Sequence, residues 1–160
     1  MKLKNYISGQ WIEGNGHEIP LYNAVNGELV AISDTSGLDF EEALHFGRTI
    51  GYKNLSSMTF YDRGEMLKKV ALYLLERKKK YYDLSYKTGA THADSWVDIE
   101  GGFGTFFAYS GLAKRMLPNT PFWVDGDTQK ISANGTFLGT HILTPSEGVS
   151  VQINAYNFPV

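Results

Sequence analysis

A run of polar and aromatic side chains, Asn154-Ala155-Tyr156-Asn157-Phe158-Pro159, directly follows the apolar stretch Gly148-Val149-Ser150-Val151-Gln152-Ile153. An apolar strand that passes into a proline-stiffened polar turn occupies the position at which open α/β sheets hold ligands, outside the carboxyl ends of their strands. The amide of Asn157 has two uses in such a place. It can donate an N–H to an oxygen that gains negative charge during a reaction, or its carbonyl oxygen can cap a helix that follows. The residues by themselves leave that choice open. The other chemistry-bearing side chains form no comparable group. His17, His45, His92 and His141 are far apart and share no metal-ligand spacing, so each is expected as a surface or hydrogen-bonded imidazole. Glu41 and Glu42 fall in the first turn of a predicted helix, where the helix dipole already accounts for them. Gly102-Phe103-Gly104 lacks the third glycine of a dinucleotide fingerprint, and no strand precedes it. There is no Gly-x-Ser-x-Gly, no phosphate-binding lysine loop and no His-Glu-x-x-His. With no cysteine among the 160 residues, a thiolate nucleophile, a disulfide and a thiolate metal site are excluded within this stretch.

The elements that would position the terminal segment can be read from periodicity. Up to about residue 35, short β-favouring pieces alternate with turn residues: Tyr6-Ile7, Gly9-Gln10-Trp11-Ile12, Gly14-Asn15-Gly16, then Leu29 to Ile32 after Asn26-Gly27. Small hairpins are predicted there. From Asp39 the period becomes helical: Phe40, Ala43, Leu44, Gly47 and Ile50 share a face and Glu42 stands three residues after Asp39, predicting a helix over 39–52. Thr59 with Asp62 is a second cap signal, ahead of the stripe Met66, Leu67, Val70, Ala71, Leu74 and Leu75. Arg77-Lys78-Lys79-Lys80 is placed late in that stripe, at the carbonyl end of a helix dipole, as a solvated face rather than a phosphate site. Tyr81, Tyr82, Leu84 and Tyr86 continue the apolar pattern until Thr88-Gly89 stops it, and Ala93 to Lys114 reads helical again. Its glycines at 101, 102, 104 and 111 predict close packing against a neighbour. After Pro118 the pattern returns to strands: Gln129 to Ser132, an Asn134-Gly135 turn, Phe137 to Leu143, and Gly148 to Ile153. The order is β pieces, three or four helices, then β, without repeats or a linker, which predicts one α/β unit.

Composition bounds the partners. Hydrophobic residues make up 42% and aromatic residues 14% of the chain, against 20% charged, which is enough apolar material for a core. A net charge of −2 and a pI near 6.1 provide no global field for nucleic acid or an anionic membrane. The N-terminal Met1 to Ile7 has no apolar run behind its lysines, and no stretch approaches the roughly 20 apolar residues that span a bilayer. A cytoplasmic protein is the default expectation. The sequons at Asn54 and Asn134 are taken as chance.

The terminal segment also resembles a known signature. Ile153 and Asn157-Phe158-Pro159 match the aldehyde dehydrogenase motif in which a strand ends in Ile-Thr-Pro-Trp-Asn-Phe-Pro, while Asn154, Ala155 and Tyr156 depart from its Thr, Pro and Trp. Upstream, Tyr6-Ile7-Ser8-Gly9-Gln10-Trp11 is similar to the family's opening hairpin, and the helix from Asp62 to Arg77 to its R-x-x-x-L-x-x-x-A-x-x-L-x-x-R pattern. Thr88-Gly89 falls where the family has Glu-Thr-Gly-Lys-Pro, and Asp98-Ile99-Glu100 with Tyr109 and Ala113 fits its next helix. The resemblance covers essentially the whole chain. Its departures and aromatic content look most like the aldehyde dehydrogenase part of bifunctional phenylacetate-degradation proteins, which handle a CoA-linked semialdehyde and carry a hydratase-like domain; benzoate-pathway semialdehyde dehydrogenases read similarly.

The resemblance implies the N-terminal portion of the aldehyde dehydrogenase α/β fold. Residues 1–125 would begin the cofactor-binding domain, 126–147 would form an oligomerisation hairpin, and 148–160 the first strand of a Rossmann-like cofactor sheet. It implies NADP or NAD as cofactor, with Ile153, Asn154, Ala155 and Tyr156 along its nicotinamide side and Asn157 as the oxyanion donor. It also implies an aldehyde substrate, a homo-oligomer, and a nucleophilic cysteine and a base glutamate beyond position 160, so that these residues alone would be inactive. The rival expectation is a small non-catalytic interaction module that pairs through its late hairpin.

Overall fold

A computed structural model describes residues 1–155. The chain opens with two antiparallel hairpins. In the first, β1 (Asn5–Ile7) pairs with β2 (Gln10–Ile12), and Tyr6 lies across from Trp11 with ring centroids 5.0 Å apart. Its turn takes Ser8 and Gly9 to φ of 49° and 84°, the twist a two-residue hairpin favours. In the second, β3 (Ile19–Tyr22) pairs with β4 (Leu29–Ser33). The sequence pattern shows no β3, because Pro20 interrupts the alternation; proline is tolerated at the edge of a two-stranded sheet.

A polar knot joins the two hairpins. Asp34 is 1% exposed; its carboxylate accepts N–H bonds from Gly16 at 3.0 Å and Ser36 at 2.9 Å and meets the Lys2 ammonium at 3.1 Å. Its carbonyl accepts from the Asn5 side-chain amide at 2.8 Å. The Ser36 N–H first, then Gly16, the Ser36 hydroxyl and Lys2, hold this carboxyl well below the usual carboxylate range against the opposing effect of burial. Gly14 cannot be larger, since a Cβ there would stand 2.5 Å from Asp34 atoms.

The helices follow. The side chain of Asp39 accepts from the Glu42 N–H at 2.8 Å and starts α1 (Phe40–Phe46). A π-helical turn over Gly47–Gly51 carries the chain into α2 (Tyr52–Ser56), so the helical stretch runs past the predicted end at 52. Thr59 and Asp62 form a complete reciprocal capping box at the start of α3 (Phe60–Leu75). Thr91 and Asp94 repeat that device at α5 (His92–Met116). The core is the antiparallel seam between α3 and α5. Gly64 faces Ser110 and Ala113, where a Cβ would come within 3.0 Å of the Ala113 Cβ. Ala71 and Ile99 are fully buried and Phe103 nearly so, with Tyr81 edge-on to Phe103 at 6.3 Å. Tyr61 donates its hydroxyl to the Lys114 carbonyl, and Glu65 pairs with the Lys114 ammonium at the same end.

Two helical expectations are corrected. The lysine run does not end α3. Arg77 leaves the helical region at φ −109°, ψ 9°, its guanidinium 3.6 Å over the Tyr73 ring, and Lys78 begins a separate helix, α4 (Lys78–Ser85). Cations at a helix N-terminus oppose the dipole, and here Lys78 is paired with Glu100 at 2.8 Å and Lys79 with Asp83 at 2.9 Å. Nor do Gly101, Gly104 and Gly111 of α5 make the close approach: Gly101 and Gly104 have nothing within 4 Å of a Cβ position, and Gly111 meets only the Arg115 side chain. The glycine that permits contact is Gly64, on the facing helix. The stop is as read, with Gly89 left-handed at φ 88° after a short 3-10 turn, Tyr86–Thr88.

A late hairpin closes the described chain. β5 (Trp123–Lys130) pairs with β6 (Leu138–Leu143) around the Asn134-Gly135 turn, β5 starting earlier than its predicted Gln129. Of the stretch read as a strand over 148–153, residues 149–154 carry no ladder pairing among the described residues, and Ala155 forms an isolated bridge. A strand needs a hydrogen-bonded neighbour, and among the described residues none is ladder-paired with 149–154.

Candidate active site

The segment read as chemical leaves the late hairpin at 145–150 and crosses the wall made by α1, the π turn, α2 and the start of α3. A groove of about 790 Å³ lies between them, lined by Gly47, Gly51, Tyr52, Leu55 and Leu67 on the helical side and by residues 145–150 on the other. Val149 fixes the crossing. A Cβ on Gly47 would stand 2.9 Å from Val149 Cγ2, so only glycine admits the segment this closely. No sequence pattern announced that contact, since the two residues are about a hundred positions apart and each looks ordinary in its own element.

Beyond Val149 the segment emerges into solvent. Val151 is 73% and Ile153 92% exposed, and Asn154 and Ala155 are exposed too. An isoleucine this bare, on a stretch without ladder partners, presents apolar surface and free backbone groups together, a combination that another surface or a ligand can cover. Tyr156 and Asn157 lie outside the described residues. The structure therefore brings Ile153, Asn154 and Ala155 together on one open stretch downstream of the groove.

The remaining candidates are structural. His92 stacks on Tyr82 with ring centroids 5.5 Å apart, and Tyr82 donates to Glu100 at 3.3 Å. Burial first, and the neighbouring Glu100 carboxylate second, push the Tyr82 phenol up. His17, His45 and His141 are exposed, as are Glu41 and Glu42 in the first turn of α1. Among the described residues no group of three His, Asp or Glu could hold a metal, and no helix is long and apolar enough to cross a membrane. Ser95 and Asp98 are buried in the α5 seam, where Ser95 shares a 2.9 Å hydroxyl contact with Ser85.

The pattern of the aldehyde dehydrogenase family matches residues 11–160 of this sequence. The chain belongs to the aldehyde dehydrogenase family. Among its relatives, 3,4-dehydroadipyl-CoA semialdehyde dehydrogenase of Aromatoleum evansii is 36% identical over 160 residues, covering 99% of this chain and 31% of that protein. The chain thus spans about a third of the length of the curated relatives it matches. The fold is shared with solved aldehyde dehydrogenases. A 3,6-anhydro-L-galactose dehydrogenase in complex with NAP superposes at a TM-score of 0.67 and 22% identity, over 84% of this chain and 27% of that one. Betaine aldehyde dehydrogenase of Staphylococcus aureus, in complex with NAD+, does so at 0.61 and 22%, over 70% and 24%. The hairpins, the α3–α5 seam and the late hairpin of this aldehyde dehydrogenase chain are thus an N-terminal portion of the family fold, as the sequence resemblance implied.

Proposed function

We propose that this chain is the N-terminal part of a cytoplasmic enzyme that oxidises an aldehyde to a carboxylic acid with NADP or NAD. The substrate is a CoA-linked semialdehyde of the kind formed when an aromatic compound such as phenylacetate is degraded. The observation that carries the substrate class is the 36% identity, over nearly the whole chain, to an enzyme named for a CoA semialdehyde.

In this reading a thiolate from outside these residues adds to the aldehyde carbon, and the carbonyl oxygen gains negative charge. The side-chain amide of Asn157 donates an N–H to that oxygen. A fixed donor of this kind contributes about 3 kcal/mol to the transition state, because the charge it meets is absent from the ground state. Ile153, Asn154, Ala155 and Tyr156 line the nicotinamide side of the cofactor site. The exposed Ile153 and the small Ala155 fit a planar ring, leaving an apolar wall without a bulky side chain across it. A nicotinamide bound there supplies the acceptor for the hydride that leaves the aldehyde carbon. The β5–β6 hairpin pairs with another subunit of a homo-oligomer, and residues 1–160 alone turn over no aldehyde, because they hold no cysteine.

The test uses the complete enzyme. A CoA-linked semialdehyde is expected to give a higher kcat/KM than the same semialdehyde without CoA; equal values would remove the substrate class. Asn157→Ala should lower kcat by about 10² to 10³ with cofactor affinity nearly intact. Asn157→Asp separates the two uses of the residue, since aspartate can still cap a helix but repels an oxyanion. Near-normal turnover in that variant would make Asn157 structural.

A further inference from the structure

One cation and one anion line the groove under residues 145–150, on opposite walls. The cation is Arg63 of α3, half-buried, with its guanidinium carbon 5.3 Å from the centroid of the Phe60 ring. Stacking on an aromatic face restrains the planar group and leaves its N–H edge free for oxygen acceptors. Its Nε is buried without an acceptor among the described residues, a costly state for a donor on a permanently charged group. Arg63 also stands near the start of α3, the positive end of the helix dipole, where an anion is favoured and a lone cation is not. The two carboxylates nearest to it in sequence are engaged elsewhere: Asp62 accepts from Thr59 at 3.0 and 2.8 Å, and Glu65 pairs with Lys114. The anion of the groove is Glu147, exposed and in none of the ion pairs among the described residues. Its segment is held at both ends, by the β6 ladder up to Leu143 and by Val149 against Gly47. Between them Gly148 takes φ 115°, a conformation L side chains rarely adopt, so the backbone before it can turn toward α3 while Val149 stays seated.

We propose that residues 145–148 form a strap that closes onto α3 when the Glu147 carboxylate accepts paired N–H bonds from the Arg63 guanidinium, one of them from the buried Nε. Gly148 is the pivot. A planar guanidinium edge matches the two oxygens of a carboxylate, and Tyr52 and Ser146, which line the same groove, carry hydroxyls for the remaining lone pairs. A partner on the same chain needs no association step, and the charge of Glu147 repels a free anion that would compete for Arg63. Closure fixes the direction in which the chain leaves Val149 for Ile153 and Asn157, which makes Arg63 and Glu147 positioning residues. That consequence rests on the proposed role of Asn157; the ion pair itself does not.

The complete enzyme is compared with Arg63→Gln, Glu147→Gln, their double variant, and the exchanged pair Arg63→Glu with Glu147→Arg, by thermal midpoint, kcat and cofactor KM. Each single glutamine variant should lower kcat about tenfold with cofactor KM little changed, through a small displacement of the catalytic segment. The double variant should lose no more than the worse single one, because the second change removes a group already without its partner. The exchanged pair should regain part of the kcat lost in Arg63→Glu alone, since a residue that merely fills space does not respond to the sign of its neighbour. Losses that multiply in the double variant, or wild-type kcat in Glu147→Gln, would overturn the strap. Should the Arg63 variants fail to fold, Glu147 decides alone: Glu147→Arg must lose more kcat than Glu147→Gln, and equal or absent losses sink the proposal. If the wild type oxidises neither a CoA-linked semialdehyde nor simple aldehydes, the proposed function fails. The pair is then read from the thermal midpoint, where shifts of the two glutamine variants that do not add support it and additive shifts overturn it.

Discussion

The α3–α5 seam and the β5–β6 hairpin use apolar residues in opposite ways. In the seam Ala71, Ile99 and Phe103 vanish from solvent, and Gly64 lets the two helices close on Ser110 and Ala113. In the hairpin every residue of β5 is exposed, Phe137 is 61% and Ile142 55% exposed, and within the two strands only Gly139, beside Ile131, is half-buried. The hairpin's backbone is paired strand to strand, with Thr128 and Thr140 hydroxyls 2.9 Å apart, but neither of its faces has a partner among the described residues. An isolated two-stranded ribbon is marginal in water. The contrast teaches that internal stability in this chain is concentrated in one helical seam, while the hairpin and the stretch beyond Val149 are surfaces whose apolar residues contribute once something covers them.

The sharpest way to break that contrast is at its buried end. Ile99→Ala should lower stability by about 2–5 kcal/mol, the range for emptying a fully enclosed aliphatic site, read from the denaturant midpoint. A loss no larger than that of an exposed residue would mean the seam is not the core.

The polar knot at Asp34 offers a second, pH-dependent probe. Its carboxyl is held below the ordinary carboxylate range in the folded state, so its contribution is present above the unfolded value of about 4 and is lost as pH falls through and below it. Asp34→Asn should therefore lower the thermal midpoint at neutral pH and flatten its decline in acid relative to wild type. An unchanged acid slope would show that other carboxylates govern it, such as Asp62 and Asp94 in their capping boxes.

The smallest effect on the protomer belongs to the hairpin. Phe137→Lys and Ile142→Lys should each change its stability by no more than about 0.5 kcal/mol, as exposed substitutions do. In the complete enzyme the same changes should shift sedimentation toward smaller species. An unaltered profile would mean that these apolar faces do not join subunits.

Local chemistry was legible wherever neighbours in sequence suffice. The Thr59-Asp62 box, the Gly89 stop and the Asn134-Gly135 turn are decided by residues three or four positions apart, and each stands where the residues put it. The stripe from Met66 to Leu75 likewise announced its helix. The motif around Asn157 carried the family, which the match over residues 11–160 bears out. Where sequence reading went astray, the missing information was a partner. The lysine run looked like the end of α3, because nothing in a linear pattern reveals the Glu100 carboxylate that accompanies Lys78 at the start of a new helix. Gly101, Gly104 and Gly111 of α5 promised close packing, but a glycine permits an approach without causing one, and the approach needs a facing residue such as Ala113 opposite Gly64.

By itself, then, the sequence determined the caps, the turns, the helical stripes and the family, since these depend on short-range backbone chemistry and on the identity of a few motif residues. Only the tertiary structure decided that Asp34 ties two hairpins together, that Val149 seats on Gly47, and that the stretch from Val151 to Asn154 stands exposed without ladder partners among the described residues. Each of those facts joins residues far apart in the chain, and packing and desolvation, which set their energies, act on distance in space rather than on order in sequence.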